Sequence, residues 1–166
     1  MKIELNWTEP VPLKSVQPAG YDFESVQEGL QNAPGIYVFA RKFGDTYTPI
    51  YIGKAGNVAR RLKGQFNNLK LMKQVNNWNP TDPDDASKRV TGTRVLFVGY
   101  LERPRVADSV KAALRLAERS VIEHALSEGF SIVNIQMTRT RYNEVQSRGS
   151  RKALAFCPSI MLSKGK

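Results

Sequence analysis

The sequence predicts a single α/β domain of the α+β kind, in which strands and helices alternate. Its β-rich segments and its segments of helical periodicity follow one another in the order 35–39, 49–54, 57–69, 94–101 and 108–127. At 166 residues, with 41% hydrophobic and 24% charged residues, the chain is long enough to bury its own core. We therefore expect one globular domain.

The first two β-rich segments are expected to form an antiparallel hairpin. Segment 35–39 begins at the glycine of a Pro-Gly pair and continues with mainly β-branched and aromatic residues. The stretch 43–49 contains a Gly-Asp pair and supplies the turn, and 49–54 forms the second strand. Tyr37 and Tyr51 then lie in neighbouring strands.

A helix with one apolar stripe is predicted after the hairpin. Asn57 is a good N-cap. The apolar stripe consists of Val58, Leu62, Phe66 and Leu69. Arg61 lies beside the stripe, whereas Arg60 lies further round toward solvent. Arg61 is therefore expected to flank a buried site. A Pro-rich and Asp-rich loop, 76–87, and a third strand, 94–101, follow this helix.

A long helix is predicted from Asp108 or Ser109 to about Ser127. Its apolar arc consists of Val110, Leu114, Ala117, Val121, Ile122 and Ala125. Glu118 falls within this arc, and Glu123 points nearly opposite. An ionised carboxylate among apolar residues is costly unless it is paired or binds a cation. Glu118 is therefore either the partner of an arginine or a ligand of a divalent cation.

The charged and phenolic residues suit a phosphodiester substrate. A guanidinium beside a metal-bound carboxylate can clamp phosphate oxygens and offset charge in the transition state, which is the role expected of Arg61. Lys54 adds a second cation. A phenol near such cations is expected to have a lowered pKa, so Tyr37 and Tyr51 are candidate general bases or nucleophiles. Taken singly, each is more often a packing residue.

The charge distribution favours an anionic partner. The formal net charge is +10, and stretch 46–81 contains no acidic residue. Its basic residues are Lys54, Arg60, Arg61, Lys63, Lys70 and Lys73. Such a patch fits contacts to the nucleic-acid backbone, and a solvated helix face is the alternative interpretation.

Composition excludes several other classes of protein. Cys157 is the only cysteine, which rules out an internal disulfide and a Cys-rich zinc site and favours a reducing, cytoplasmic setting. His124 is the only histidine, so a paired-histidine metal site is excluded. No apolar run approaches the length needed to span a bilayer, so we expect no membrane association.

The residues resemble the GIY-YIG endonuclease superfamily. Both tripeptides of its name are present, as Gly35-Ile36-Tyr37 and Tyr51-Ile52-Gly53. The run 51–62 is similar to the family segment in which YIG and a lysine precede a helix bearing the catalytic arginine. Segment 118–122 resembles the family's glutamate followed by an apolar pair, and 132–134 resembles its asparagine segment.

The resemblance covers about residues 34–135, and the sequence departs from the family pattern in two ways. A proline often found before the asparagine is absent, and the insert 76–88 is long. Neither departure removes a catalytic group. The resemblance divides the chain into an N-terminal lead-in at 1–33, a nuclease domain at 34–135 and a basic C-terminal extension at 136–166.

The resemblance implies a central three-stranded antiparallel sheet flanked by helices and metal-dependent hydrolysis of DNA phosphodiesters. Glu118 would bind one Mg²⁺ or Mn²⁺, and Arg61 would act on the phosphate. Tyr37 is the favoured general base and Tyr51 a positioning group, although the two roles are open to exchange. The supporting residues are Gly53, Lys54 and Asn134. The residues expected to bind nucleic acid are Lys54, Arg60, Lys63, Lys70, Arg139 and Arg141.

DNA is the expected partner, with RNA as an open alternative, and the sequence gives no oligomeric state. Two other classes of function compete with the endonuclease. The first is a noncatalytic nucleic-acid-binding module with the same fold. The second is a subunit of a larger nuclease assembly.

Overall fold

The computed structural model describes residues 3–16, 20–79, 91–102, 109–133, 142–146 and 160–164. Within these ranges, helices and antiparallel strands pack together, which confirms the predicted mixed α/β class. The strands are β1 Leu5–Trp7, β2 Val11–Pro12, β3 Ser15–Val16, β4 Gly20–Tyr21, β5 Gly35–Phe43, β6 Thr46–Ala55, β7 Thr93–Leu101, β8 Tyr142–Gln146 and β9 Ile160–Lys164. The helices are α1 Glu24–Gln27, α2 Val58–Phe66, α3 Leu69–Asn77 and α4 Val110–Ser127.

The main sheet has the strand order β1-β7-β5-β6, and β2 also pairs with β7. All of these pairings are antiparallel. The three predicted strands therefore form an antiparallel sheet with β5 in the middle, but two short strands extend it beyond the expected three. Both come from the segment that was expected to be a lead-in, and their pairing places β7 inside the sheet. Among the described strands, β6 lies at the open edge.

The β5-β6 hairpin is longer than the sequence suggested. Its strands reach Phe43 and restart at Thr46, so the turn consists of Gly44 and Asp45 instead of the whole stretch 43–49. Gly44 has a positive φ of 58°, a conformation that glycine adopts without a steric penalty. A register shift after Phe39 marks a bulge further along the hairpin.

The single helix predicted from Asn57 is wrong, because the segment forms two helices. The Asn57 side chain caps α2 by accepting from the Arg60 backbone N–H at 2.9 Å, as expected. Asn68 then caps α3 by accepting from the Leu71 backbone N–H at 3.2 Å. An asparagine side chain competes with helical backbone hydrogen bonds, which favours a new cap over a continuous helix. Leu69 is consequently 64% exposed and does not extend the apolar stripe.

Helix α4 has the predicted bounds. Ser109 caps it by accepting from the Ala112 backbone N–H at 3.1 Å. The predicted apolar arc faces the sheet, except that Val110 is exposed because it lies in the first turn, beyond the packed surface. The predicted start of loop 76–87 is wrong, because Asn76 and Asn77 belong to α3. No described helix is long and apolar enough to cross a membrane.

Two apolar layers cover the two faces of the sheet. Strand side chains alternate between faces, so Tyr37, Phe39 and Tyr51 share one layer with the buried sides of α2 and α3. Ile36, Val38 and Ile52 share the other layer with α4. Among the described strands β6 ends the sheet, and this edge positions the candidate site.

Candidate active site

The two tripeptides meet directly in the β5-β6 pair. Tyr37 is the cross-strand partner of Gly53, and the Tyr37 ring lies over the Gly53 backbone. A Cβ atom on residue 53 would lie 2.5 Å from both Cζ and Oη of Tyr37. Real Cβ atoms do not approach other atoms this closely, so only glycine leaves room for the ring. The tyrosine of the first tripeptide thus explains the glycine of the second.

Tyr51 stacks beside Tyr37 on the same face of the sheet. Their ring centroids are 6.1 Å apart, with an interplanar angle of 25°. The Tyr37 side chain is fully buried, and Tyr51 is 8% exposed. The hairpin therefore presents both phenols to one small region, as expected for neighbouring strands.

The expectation of a lowered phenol pKa is wrong for Tyr51. Burial raises the pKa of the Tyr51 phenol well above its ordinary value, and Tyr37 and Glu118 add to the increase. The Arg61 charge acts in the opposite direction but is the weaker effect. Tyr51 therefore holds its proton at neutral pH, which suits a hydrogen-bond donor or relay better than a general base.

Arg61 reaches back from α2 to the fully buried Tyr37. The residue is exposed, yet its guanidinium interacts with the Tyr37 phenol. This interaction raises the pKa of Arg61 above its ordinary value, and the nearby Glu118 carboxylate contributes in the same direction. Arg61 thus keeps its charge and links the solvent side of α2 to the paired phenols.

Gln65 completes this network. Its amide side chain faces Tyr37 and Arg61 from one helical turn further along α2, and the residue is only 6% exposed. In the amide orientation that satisfies both neighbours, the carbonyl oxygen accepts from Tyr37 Oη at 3.0 Å. The same oxygen accepts from Arg61 Nε at 3.0 Å and from Nη2 at 2.9 Å.

Gln65 was not among the predicted site residues. A helical signal was present, since Gln65 lies four residues after Arg61 and adjoins the apolar positions Leu62 and Phe66. A polar side chain at such a position requires a buried partner. The buried Tyr37 hydroxyl that provides this partner becomes apparent only when β5 is packed against α2.

Glu118 and Lys54 approach from the opposite face of the sheet. Lys54 lies three residues after Tyr51 on β6, so its side chain points to the α4 face. The Lys54 ammonium pairs with the Glu118 carboxylate, whose side chain is 19% exposed. Glu118 therefore has the half-buried position that the sequence indicated, but its partner is a lysine and not the arginine considered as an alternative. Glu123, on another side of α4, pairs with Arg119.

The two groups converge because β6 is an open edge. Glu118 acts electrostatically on both Tyr51 and Arg61, although these side chains belong to the other apolar layer. No further described strand separates the layers beyond β6. The structure therefore brings Tyr37, Tyr51, Arg61, Lys54 and Glu118 to one place on the molecule.

A groove of about 530 Å³ opens beside this cluster. Its lining consists of Lys54, Ala55, Gly56, Asn57, Arg60, Arg61 and Gly64. Three of these residues are cations and two are glycines, so the groove combines positive charge with close access to the backbone. Lys63 on α2 and Lys70 on α3 are exposed but do not line it. The groove is positively charged and lets a bound group approach the backbone closely, and both properties suit a phosphate group.

The described residues contain no group of three or more His, Cys, Asp or Glu side chains able to hold a metal ion. The Glu118 carboxylate pairs with Lys54, one of the groove cations. Mg²⁺ commonly uses one or two carboxylates and takes its other ligands from water and substrate phosphate. Glu118 fits a metal site of this kind, in which its carboxylate would contact the ion in place of the Lys54 ammonium or in addition to it. His124 lies exposed on α4, apart from the cluster.

Three predicted site residues lie outside the described part of the chain. They are Asn134, Arg139 and Arg141. The predicted supporting role of Asn134 and the predicted nucleic-acid contacts of the two arginines therefore stay predictions. The chain matches no protein-family profile, no curated protein and no solved structure.

Proposed function

We propose that this protein is a metal-dependent endonuclease of the GIY-YIG superfamily that hydrolyses DNA phosphodiester bonds. The observation that carries the proposal is the meeting of Arg61, two tyrosines and Glu118 at the open edge of β6, beside a cationic groove. The three-stranded antiparallel arrangement of β5, β6 and β7, with helices on both faces, supports the same family.

The groove cations account for substrate binding in this proposal. Arg60 and Lys54 contact the nucleic-acid backbone, and Arg61 binds the oxygens of the scissile phosphate. Such contacts position a strand without reading its sequence. Because Arg61 is held by Tyr37 and Gln65, its donors are oriented before substrate arrives, which favours transition-state stabilisation over simple attraction.

In the proposed reaction, a water molecule attacks the phosphorus of the bound phosphodiester. Tyr37 is the proposed general base that assists deprotonation of this water, and Tyr51 donates a hydrogen bond within the pair. Arg61 stabilises the negative charge that gathers on the phosphate oxygens. Glu118 would hold the Mg²⁺ or Mn²⁺ ion, which supplies Lewis-acid stabilisation of the leaving oxygen when bound.

A noncatalytic nucleic-acid-binding module is the second candidate. The complete burial of Tyr37 and the raised pKa of Tyr51 favour this alternative, because neither phenol is exposed as a ready base. The binding module and the endonuclease both require the cationic groove. Only the endonuclease uses a bound metal ion to cleave the strand, whereas the binding module leaves the strand intact.

Cleavage of supercoiled plasmid and branched DNA in Mg²⁺ or Mn²⁺ separates the two candidates. We expect the unaltered protein to nick or cut at least one substrate, and Arg61→Ala and Glu118→Gln to reduce the rate by about 100-fold or more. Glu123→Gln and Arg115→Ala serve as matched controls on α4 and should retain activity. Equal cleavage by all five proteins would refute the site assignment. Salt-sensitive DNA binding without cleavage would support the binding module.

A further inference from the structure

We propose that Gln65 is a positioning residue that fixes the Arg61 guanidinium and the Tyr37 phenol relative to each other. This inference rests on the proposed nuclease function and assigns a role to a side chain outside the four expected catalytic groups. Gln65 acts through Arg61 and Tyr37 and does not itself contact the phosphate.

The geometry identifies the Gln65 carbonyl as the shared acceptor. It takes one hydrogen bond from Tyr37 Oη and two from the Nε and Nη2 edge of Arg61, all at 2.9 to 3.0 Å. In the opposite amide orientation, Nε2 would face the guanidinium donors of Arg61, which cannot accept a hydrogen bond. The contacts with Arg61 therefore select one orientation of the amide.

Burial makes this arrangement rigid. Gln65 is 6% exposed and Tyr37 is fully buried, so water does not readily replace either partner. Arg61, by contrast, is exposed and lines the groove. A long exposed arginine ordinarily samples many rotamers, and ordering it upon substrate binding costs conformational entropy. Gln65 removes much of this cost before the phosphate arrives.

The contacts with Gln65 still allow Arg61 to bind phosphate. A guanidinium carries five N–H donors, and the carbonyl of Gln65 uses two of them. The remaining donors include those available for the Tyr37 oxygen and for an anion in the groove. Gln65 thus holds one edge of the guanidinium, and the rest stays available for chemistry.

The test compares Gln65→Leu, Gln65→Glu and Gln74→Leu with the unaltered protein. Leucine removes the acceptor with little change in volume, whereas glutamate keeps it. Gln74 lies on α3 and its side-chain oxygen has no partner among the described residues, so Gln74→Leu makes the same chemical change away from Arg61. Two quantities are measured, the hydrogen-exchange rate of the Arg61 Nε–H group by NMR and the single-turnover cleavage rate.

We expect Gln65→Leu to speed exchange of the Arg61 Nε–H by about tenfold, because a hydrogen bond is lost. Its maximal single-turnover cleavage rate should fall by about 100-fold, while the protein concentration that gives half of this rate changes less than about threefold, since misorientation affects the transition state more than binding. Gln65→Glu should recover most of both losses, which a purely structural role of the residue does not predict. Gln74→Leu should leave both quantities unchanged.

Unchanged Arg61 exchange in Gln65→Leu would overturn the positioning role, whatever the cleavage rates. If Gln65→Leu unfolds, Gln65→Glu decides the matter, because retained exchange protection supports the role of the acceptor and faster exchange contradicts it. If the unaltered protein cuts no DNA, the nuclease proposal fails separately. The exchange measurement would still decide whether Gln65 holds Arg61.

Discussion

Gly53 illustrates how a single residue connects the sequence pattern to the site. Its side chain is a single hydrogen atom, which leaves space for the Tyr37 ring. Tyr37 in turn hydrogen-bonds Gln65 and interacts with Arg61. The packing of two tripeptides is thus the first step in building the cluster. A change at Gly53 should propagate to every group that depends on the position of Tyr37.

Gly53→Ala should therefore destabilise the protein. The added methyl group would overlap the buried Tyr37 ring, and overpacking of this kind typically costs about 1 to 3 kcal/mol. Urea denaturation gives the free energy of unfolding directly. Gly56→Ala is the matched control, because nothing lies within 4 Å of the Cβ position there. Equal stability of the two variants would show that the Tyr37 ring is not held against residue 53.

Tyr51 makes a second testable contribution through its raised pKa. Above about pH 10 the unfolded chain, in which the tyrosine has its ordinary pKa of about 10, loses the phenolic proton, whereas the folded protein retains it. The contribution of this group to stability is therefore complete below about pH 10 and is lost as the pH rises further. The free energy of unfolding should fall more steeply above about pH 10 for the unaltered protein than for Tyr51→Phe. Parallel curves for the two proteins would contradict the shift.

At the scale of elements, the open edge of β6 determines which groups meet. Side chains on opposite faces of a sheet are normally separated, yet Lys54 and Glu118 approach Tyr51 and Arg61 around this edge. Helix α2 follows β6 almost directly, so its N-terminal half lies next to the hairpin. The site is therefore a product of strand order and of the short connection after β6.

Arg94 fixes the position of α3 against the sheet. It is 2% exposed, and it donates from Nε to the Val75 carbonyl at 2.9 Å and from Nη2 to the Asn76 carbonyl at 3.0 Å. Arg94→Met should lower the free energy of unfolding by about 3 kcal/mol, because it leaves buried carbonyls at the end of α3 without this donor. Thermal and urea unfolding measure the loss. Arg115→Met, at an exposed position on α4, is the control, and an equal effect would contradict the proposed role of Arg94.

Helical periodicity located Arg61 and Glu118, and β-rich patterning located the strands that carry Tyr37 and Tyr51. Both signals are local, because each depends on residues within a few turns of the chain. The break at Asn68, the pairing of β1 and β2 with β7, and the partner of Glu118 depend on contacts between distant segments. Periodicity within one segment contains no information about such contacts.

At the scale of the whole molecule, positive charge and the candidate site coincide. The stretch without acidic residues runs from β6 through α2 and α3, and its first cations line the groove beside Arg61. The cations that attract a nucleic acid from a distance and the groups proposed to act on its phosphate therefore lie together at the open edge of the sheet. This coincidence is what the endonuclease proposal explains and a merely basic surface does not.

A double-mutant cycle tests the central claim that groups from both faces of the sheet serve one active site. Single-turnover DNA cleavage in Mn²⁺ would be measured for Arg61→Ala, Glu118→Gln and the double variant. When residues act as a unit, the losses of cleavage rate caused by their substitutions are strongly non-additive. The double variant should therefore cleave only slightly more slowly than the slower of the two single variants. If the two losses multiply, or if Glu118→Gln cleaves as fast as the unaltered protein, the single-site account is contradicted.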